Sequence, residues 1–199
     1  MKSMFRYIYL FCFVIILVSC KNESKDSDSK TINPAVEKTK KTLTNYDKKV
    51  ISSLLTKAMT TPESKSFVSA MVSAGLTKTL SDQEGPFTVF APSNKVFNEM
   101  IPENKKRLFN TKNKDSLSLF INSLIVEGNY KIVDLESSIK ENGGNLKMKS
   151  LNGTTLTASK KGKNIVIKDE KGNKAVIEKS DIEGSNGVLH IIDAILVFD

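Results

Sequence analysis

Side chains able to do chemistry are few and scattered along this chain. There is one histidine, His190, and there are two cysteines, Cys12 and Cys20. Zinc sites draw on clustered His and Cys ligands, and one histidine cannot supply such a cluster. Asp193 follows His190 by three residues. Alternation along a strand turns it to the opposite face, which works against a His–Asp relay unless a bulge intervenes. No serine stands in a Gly-x-Ser-x-Gly elbow, and no glycine-rich phosphate cradle follows a strand. Asp169-Glu170 and the Asp181/Glu183 pair could touch a calcium ion, but no loop offers an oxygen ligand at every second position. His190 stands between Leu189 and Ile191 and reads as a structural side chain, with a base in an envelope hydrolase as the alternative. These residues therefore predict no catalytic group, no cofactor and no metal.

Cys20 carries a different chemistry. Lys2 and Arg6 precede an apolar run from Tyr7 to Ser19, shorter than the roughly 20 residues a spanning helix needs, so it reads as an export signal. Leu17-Val18-Ser19-Cys20 has the pattern of a bacterial lipobox, where the signal is cut before the cysteine and the sulfur takes a diacylglycerol. An ordinary secretory signal with an incidental cysteine is the alternative. The lipobox reading predicts a signal peptide over 1–19, a lipidated cysteine with a flexible polar tether over 20–45, and a folded domain over 46–199. The tether, rich in Lys, Ser, Asp, Thr and Asn, buries too little apolar surface to offset its ordering entropy. Cys12 leaves with the signal, so no thiol remains for a disulfide or a nucleophile. The expected location is the bacterial cell envelope: the chain is lipid-anchored at the outer membrane, cell surface or periplasmic face, and contacts the membrane through the lipid on Cys20.

The formal charge of +8 is carried almost wholly by lysine, since Arg107 is the only arginine beyond Arg6. Nucleic-acid readers lean on arginine for bidentate contacts, so no nucleic-acid partner is expected. A solvated lysine surface is the plain reading, and weak salt-sensitive attraction to anionic polymers or lipid head groups is the other. Trp is absent, and Tyr46 and Tyr130 are the only tyrosines beyond the signal, so no deep sugar site is expected. A flat polar surface contacting a protein or polysaccharide ligand suits this composition, on a chain expected to be a monomer.

The elements that must hold these residues can be read from periodicity. Val50, Ile51, Leu54, Leu55 and Ala58 recur at helical spacing. Pro62, with Thr61 as cap, opens a second helix burying Phe67, Val68, Met71 and Val72 and ending at Gly75. Phe87–Ala91 reads as a strand closed by Pro92, and Ser93 as the cap of a short helix carrying Val96, Phe97 and Met100. Ser116–Val126 and Asp134–Glu141 read as further helices. From Leu146 the period becomes two, with strands at Leu146–Ser150, Thr154–Ala158, Asn164–Asp169, Ala175–Ile182 and Val188–Val197. Turns at Asn152-Gly153, Lys161-Gly162, Lys171-Gly172-Asn173 and Asn186-Gly187 separate them. Helices followed by antiparallel strands predict an α+β fold with N-terminal helices packed on an antiparallel β-sheet or wedge.

Gly85-Pro86-Phe87-Thr88-Val89-Phe90-Ala91-Pro92-Ser93-Asn94-Lys95-Val96-Phe97 and the stretch from Asp181 to Val197 resemble the two signature motifs of the fasciclin-like domain family. Ala74-Gly75-Leu76 with Thr79-Leu80, Gly128, Tyr130, Asp134-Leu135 and Leu151-Asn152-Gly153 fall where that family's intervening segments do. The resemblance implies an adhesion and matrix module without enzymatic activity. It implies a structural part for His190, Asp193, Pro92, Asn186 and Gly187, and matches Asp181-Ile182 to a dipeptide that contacts integrins in animal members. Many members carry a Tyr-His pair at the end of the central helix; here Ser123-Leu124-Ile125-Val126-Glu127-Gly128 stands there, so that route of adhesion is not expected. A small-ligand or lipid carrier is the remaining alternative, for which a closed apolar cavity between helices and sheet is required.

Overall fold

The computed structural model describes residues 43–109 and 114–196. The signal peptide, Cys20 and all but the last residues of the expected tether lie outside this range, as do Val197 to Asp199.

Helix α1 (Asn45–Ser52) starts from a capping box in which Asp47 N–H donates to Thr44 Oγ1 at 3.1 Å and Thr44 N–H donates to Asp47 Oδ2 at 2.9 Å. The single helical stripe expected from Val50 to Ala58 is broken. Ser53 is extended, and α2 (Leu54–Thr60) begins on a new axis. Leu54 and Ala58 are therefore buried while Ile51 is on the surface. Thr61 is not the expected cap of the next helix: its hydroxyl donates back to Lys57 O at 2.8 Å, and Pro62–Ser64 forms a 3₁₀ turn ahead of α3 (Lys65–Ala74). Helix α3 ends at Gly75, whose φ of 74° suits the left-handed cap. Its expected stripe is amended at Val72, which is exposed. A short α4 (Thr77–Ser81) then leads to β1 (Phe87–Pro92), α5 (Asn94–Glu99) and α6 (Pro102–Leu108).

The helix expected over Ser116–Val126 stops early. Helix α7 covers Lys114–Ser123, and Ile125–Glu127 is β2, paired antiparallel with β1. Leu124, Ile125 and Val126 are all buried, so the apolar run carried no period to tell helix from strand. Branched Ile125 and Val126 gain a ladder beside Val89 and Thr88. Then come α8 (Ile132–Glu141), β3 (Asn145–Lys149), β4 (Thr155–Lys161), β5 (Asn164–Lys168), β6 (Lys174–Gly184) and β7 (Gly187–Ile192).

These strands form a seven-stranded sheet in the order β2-β1-β7-β6-β5-β4-β3. The fold is α+β, with one amendment to the expected antiparallel sheet: β1 and β7 run parallel, from Phe87 opposite Gly187 to Pro92 opposite Ile192. Parallel neighbours need a long crossover, and nearly the whole domain lies between these two strands. The outer strands also meet. Val126 bridges Ser150, and Leu151 N–H donates to Ile125 O at 2.8 Å, so the sheet curls back on itself. Phe67, Phe90, Leu54, Ile121, Leu135, Leu156 and Ile167 are fully buried between this sheet and the helices.

Candidate functional site: two paired motifs around a buried histidine

The parallel β1–β7 pair brings the two sequence motifs side by side, and its chemistry faces inward. His190 has no exposed surface and lies at 5.7 Å, nearly parallel, against the Phe90 ring of β1. Asp181 N–H donates to Nδ1 at 3.4 Å, a long bond, so Nδ1 must be the unprotonated nitrogen. Nε2 then carries the proton and donates to Tyr130 O at 2.8 Å. With both nitrogens engaged by backbone, the imidazole has no lone pair to take a substrate proton. Asp193 is not near it. Its Oδ1 accepts from Val176 N–H at 2.6 Å where β7 has ended at Ile192, which shortens the strand expected to run to Val197.

Tyr130 reaches the histidine because Thr88 holds its loop. The Thr88 hydroxyl donates to Gly128 O at 2.7 Å and accepts from Tyr130 N–H at 2.9 Å. Asp181 is the matching fixture on β6. A register shift between Lys179 and Ile182 leaves it at φ 57°, turning its N–H toward His190 and its carboxylate toward α8. Oδ1 accepts from Ile132 N–H at 2.9 Å, so Asp181 caps a helix from a distant strand. The proposed contact dipeptide is therefore half committed: the Asp181 carboxylate caps α8, and the Ile182 side chain is partly buried against the core.

The other end of the pair is locked by Asn186 and Gly187. The β6–β7 turn residues are Ser185 and Asn186, with Gly187 opening β7, one residue earlier than the expected Asn186-Gly187 turn. Asn186 is buried; its Oδ1 accepts from Leu54 N–H at 2.8 Å, and its Nδ2 donates to Leu80 O and Gln83 O, each at 3.1 Å. That bond to Leu54 is what breaks the first helical stripe at Ser53. Pro92 is buried at the end of β1. After it, Ser93 N–H donates to Ile192 O, but its hydroxyl caps nothing and has no partner among the described residues, contrary to the expected cap. Asn94 acts instead, accepting from Ser66 N–H at 2.8 Å and donating to Pro62 O at 2.7 Å. The bonds made by Thr88, Tyr130 and Asn94 are not legible in the sequence. The adjacency of Thr88 and Asn94 to strand ends is their one available signal.

The carboxylates considered for calcium have other partners. Asp169 accepts from Asn173, Glu170 Oε1 accepts from Thr155 N–H, and Glu183 pairs with Lys131 at 2.8 Å. No cluster of three His, Cys, Asp or Glu side chains able to hold a metal occurs among the described residues. No described helix is long and apolar enough to cross a membrane. A surface groove of about 400 Å³ is lined by Val96, Met100, Ile101 and Ile195 with Glu99 and Asp193 at its margin. It opens to solvent and is not the closed cavity a carrier requires.

Burial holds the His190 pKa below its ordinary value of 6.5, against opposing pulls from the Tyr130 carbonyl and Asp181. An unfolded chain binds the proton first, so stability is full above about 6.5 and falls as pH drops below it, toward the lowered folded pKa. The expected slope is about 1.4 kcal/mol per pH unit. Urea melts between pH 6.5 and 5.0 should show it, and His190→Gln should flatten it. His190→Ala is expected to cost about 3 kcal/mol, from the cavity and the unpaired Tyr130 carbonyl. A native-like melting temperature would contradict its structural part.

An α+β fold of helices on a mixed, self-closing sheet, pinned by one buried histidine and one buried asparagine, defines a scaffold class. The Fasciclin domain sequence profile matches residues 62–198, and the chain belongs to that family. It is 32% identical over 130 residues to Protein sll1483 of Synechocystis sp., covering 65% of this chain and 64% of that one. It is 33% identical over 132 residues to the transforming growth factor-beta-induced protein ig-h3 of Sus scrofa, where the match covers 65% of this chain and 17% of the relative. The match thus spans less than two thirds of either relative. Among solved structures, a FAS1 domain pair from the insect cell adhesion molecule Fasciclin I superposes with a TM-score of 0.66 at 19% identity, covering 73% of this chain and 51% of that one.

Proposed function

We propose that this protein is a membrane-anchored extracytoplasmic adhesion or binding module that contacts proteins or matrix polysaccharide, tethered by lipid on Cys20. The observation that carries the reading is the inward commitment of both motifs. His190, Asn186, Asp193 and Thr88 spend their polar atoms on the protein's own backbone, which leaves the outer surface as the part able to meet a partner. Membership of the Fasciclin domain family supports it, as does a fold neighbour drawn from a cell adhesion molecule. Low monovalent affinity suits such a module when many copies share one membrane, because the second contact becomes intramolecular.

The anchoring half is tested by Cys20→Ala. Two or more acyl chains hold a protein far more firmly than one, so the variant is expected to move from the membrane fraction to the soluble fraction almost completely. Unchanged membrane association would remove Cys20 from the account.

A further inference from the structure

The outer face of the β3–β6 sheet holds lysines in a pattern that the fold does not need. Helix α8 packs on the inner face, where Lys160 pairs with Glu136 at 2.9 Å. On the opposite face the strand registers place Lys147 opposite Thr157, Thr157 opposite Lys168, and Lys168 opposite Lys174. One row across four strands therefore reads Lys-Thr-Lys-Lys, with Lys149 opposite Thr155 and Lys161 opposite Asn164 beside it. All five lysines are exposed, and none pairs with a carboxylate among the described residues. Two acids border the face: Glu170, whose carboxylate is held by the Thr155 amide at 2.9 Å, and Glu178 on β6.

Like charges directly opposite one another in a sheet are destabilising. The Lys168–Lys174 pair, extended by Lys147 on the same row, lowers stability with no internal compensation, and an external anion would supply it. Strands lie about 4.8 Å apart, so the ammonium roots recur at about 5 and 10 Å along a flat line, separated by hydroxyls.

We infer that this face binds an acidic polysaccharide, its carboxylates or sulfates meeting Lys147, Lys168 and Lys174 and its sugar hydroxyls meeting Thr155, Thr157 and Ser159. This rests on the adhesion reading above and names a ligand class and surface for it. Arg107, the only arginine among the described residues, lies on α6, and the face has no aromatic to stack a base. None of the large exposed apolar side chains lies on these strands, so nothing there inserts into a lipid interface.

The test is binding of the full chain to immobilised polygalacturonate and heparin, with neutral dextran as reference, over a salt series. Wild type is expected to bind both acidic polymers, not dextran, and to weaken steeply with salt. K147Q/K168Q/K174Q should lose about tenfold or more, while K57Q/K65Q/K78Q, the same charge change on α2, α3 and α4, should lose little. Equal losses in the two variants, no loss in the first, or tighter binding to a single-stranded oligonucleotide or to phosphatidylglycerol vesicles would overturn the assignment. If cells displaying K147Q/K168Q/K174Q still adhere, the face is wrong and the adhesion reading stands; if wild-type cells do not adhere, that reading falls first.

Discussion

Gly187→Val is expected to leave the chain without a cooperative fold. A Cβ at position 187 would fall on the carbonyl oxygen of Phe87 and lie 2.7 Å from its nitrogen, in the tightest part of the parallel β1–β7 contact. The φ of 145° at Gly187 is also one that branched residues avoid. Side-chain rotation cannot relieve a clash between Cβ and backbone, so the strands must separate. Separation exposes Val89, Phe90, Leu189 and Ile191, which are buried at the centre of the core. The loss is then on the order of the whole stability of a domain, about 5–15 kcal/mol. Circular dichroism should show no sharp thermal transition; a cooperative melt near that of wild type would mean that the close approach is not needed.

Asn186→Ala is expected to lower stability by about 3 kcal/mol or more. The substitution leaves Leu54 N–H, Leu80 O and Gln83 O without their side-chain partner, all at a buried junction. For a domain of this size that corresponds to a drop of roughly 6–12 °C in Tm. Asn186→Asp should not rescue it: one oxygen can still accept from Leu54, but the other would face two carbonyl oxygens. Asn142→Ala, which removes an exposed bond within one helix end, is the matched control and should shift Tm by a degree or two. A full rescue by aspartate would show that only the Leu54 bond matters.

Both predictions fall on residues that are visible in the sequence as motif positions, yet their physical work is not. The lone histidine in an apolar strand is legible as a buried side chain, and Gly75 as a helix end. The five late strands and their glycine turns are legible from period-two alternation. What escapes depends on partners distant in sequence. Ser53 breaks a regular helical stripe because Asn186, across the fold, takes the Leu54 amide. Val126 becomes strand because β1 offers a ladder, while its local pattern suits a helix equally. The parallel pairing of β1 and β7 has no local signal, since each strand is apolar on both faces in either orientation. Ser93 has the residue type of a cap, but β1 carries it into the core and Asn94 takes the polar contacts. The lysine row appears as scattered charge along the chain and becomes a line only once the β3–β6 registers are known.

The same contrast orders the functional account. The motif residues hold the scaffold, and the parts assigned to function are Cys20 and the outward surface. Adhesion of cells displaying the full chain to a surface coated with envelope or matrix material, measured against cells lacking it, tests this most directly. The account predicts that the chain raises adhesion, that the Cys20→Ala chain released into solution competes it away, and that a folded His190→Gln variant adheres as well as wild type. A chain folded on the cell surface that leaves adhesion unchanged would contradict it.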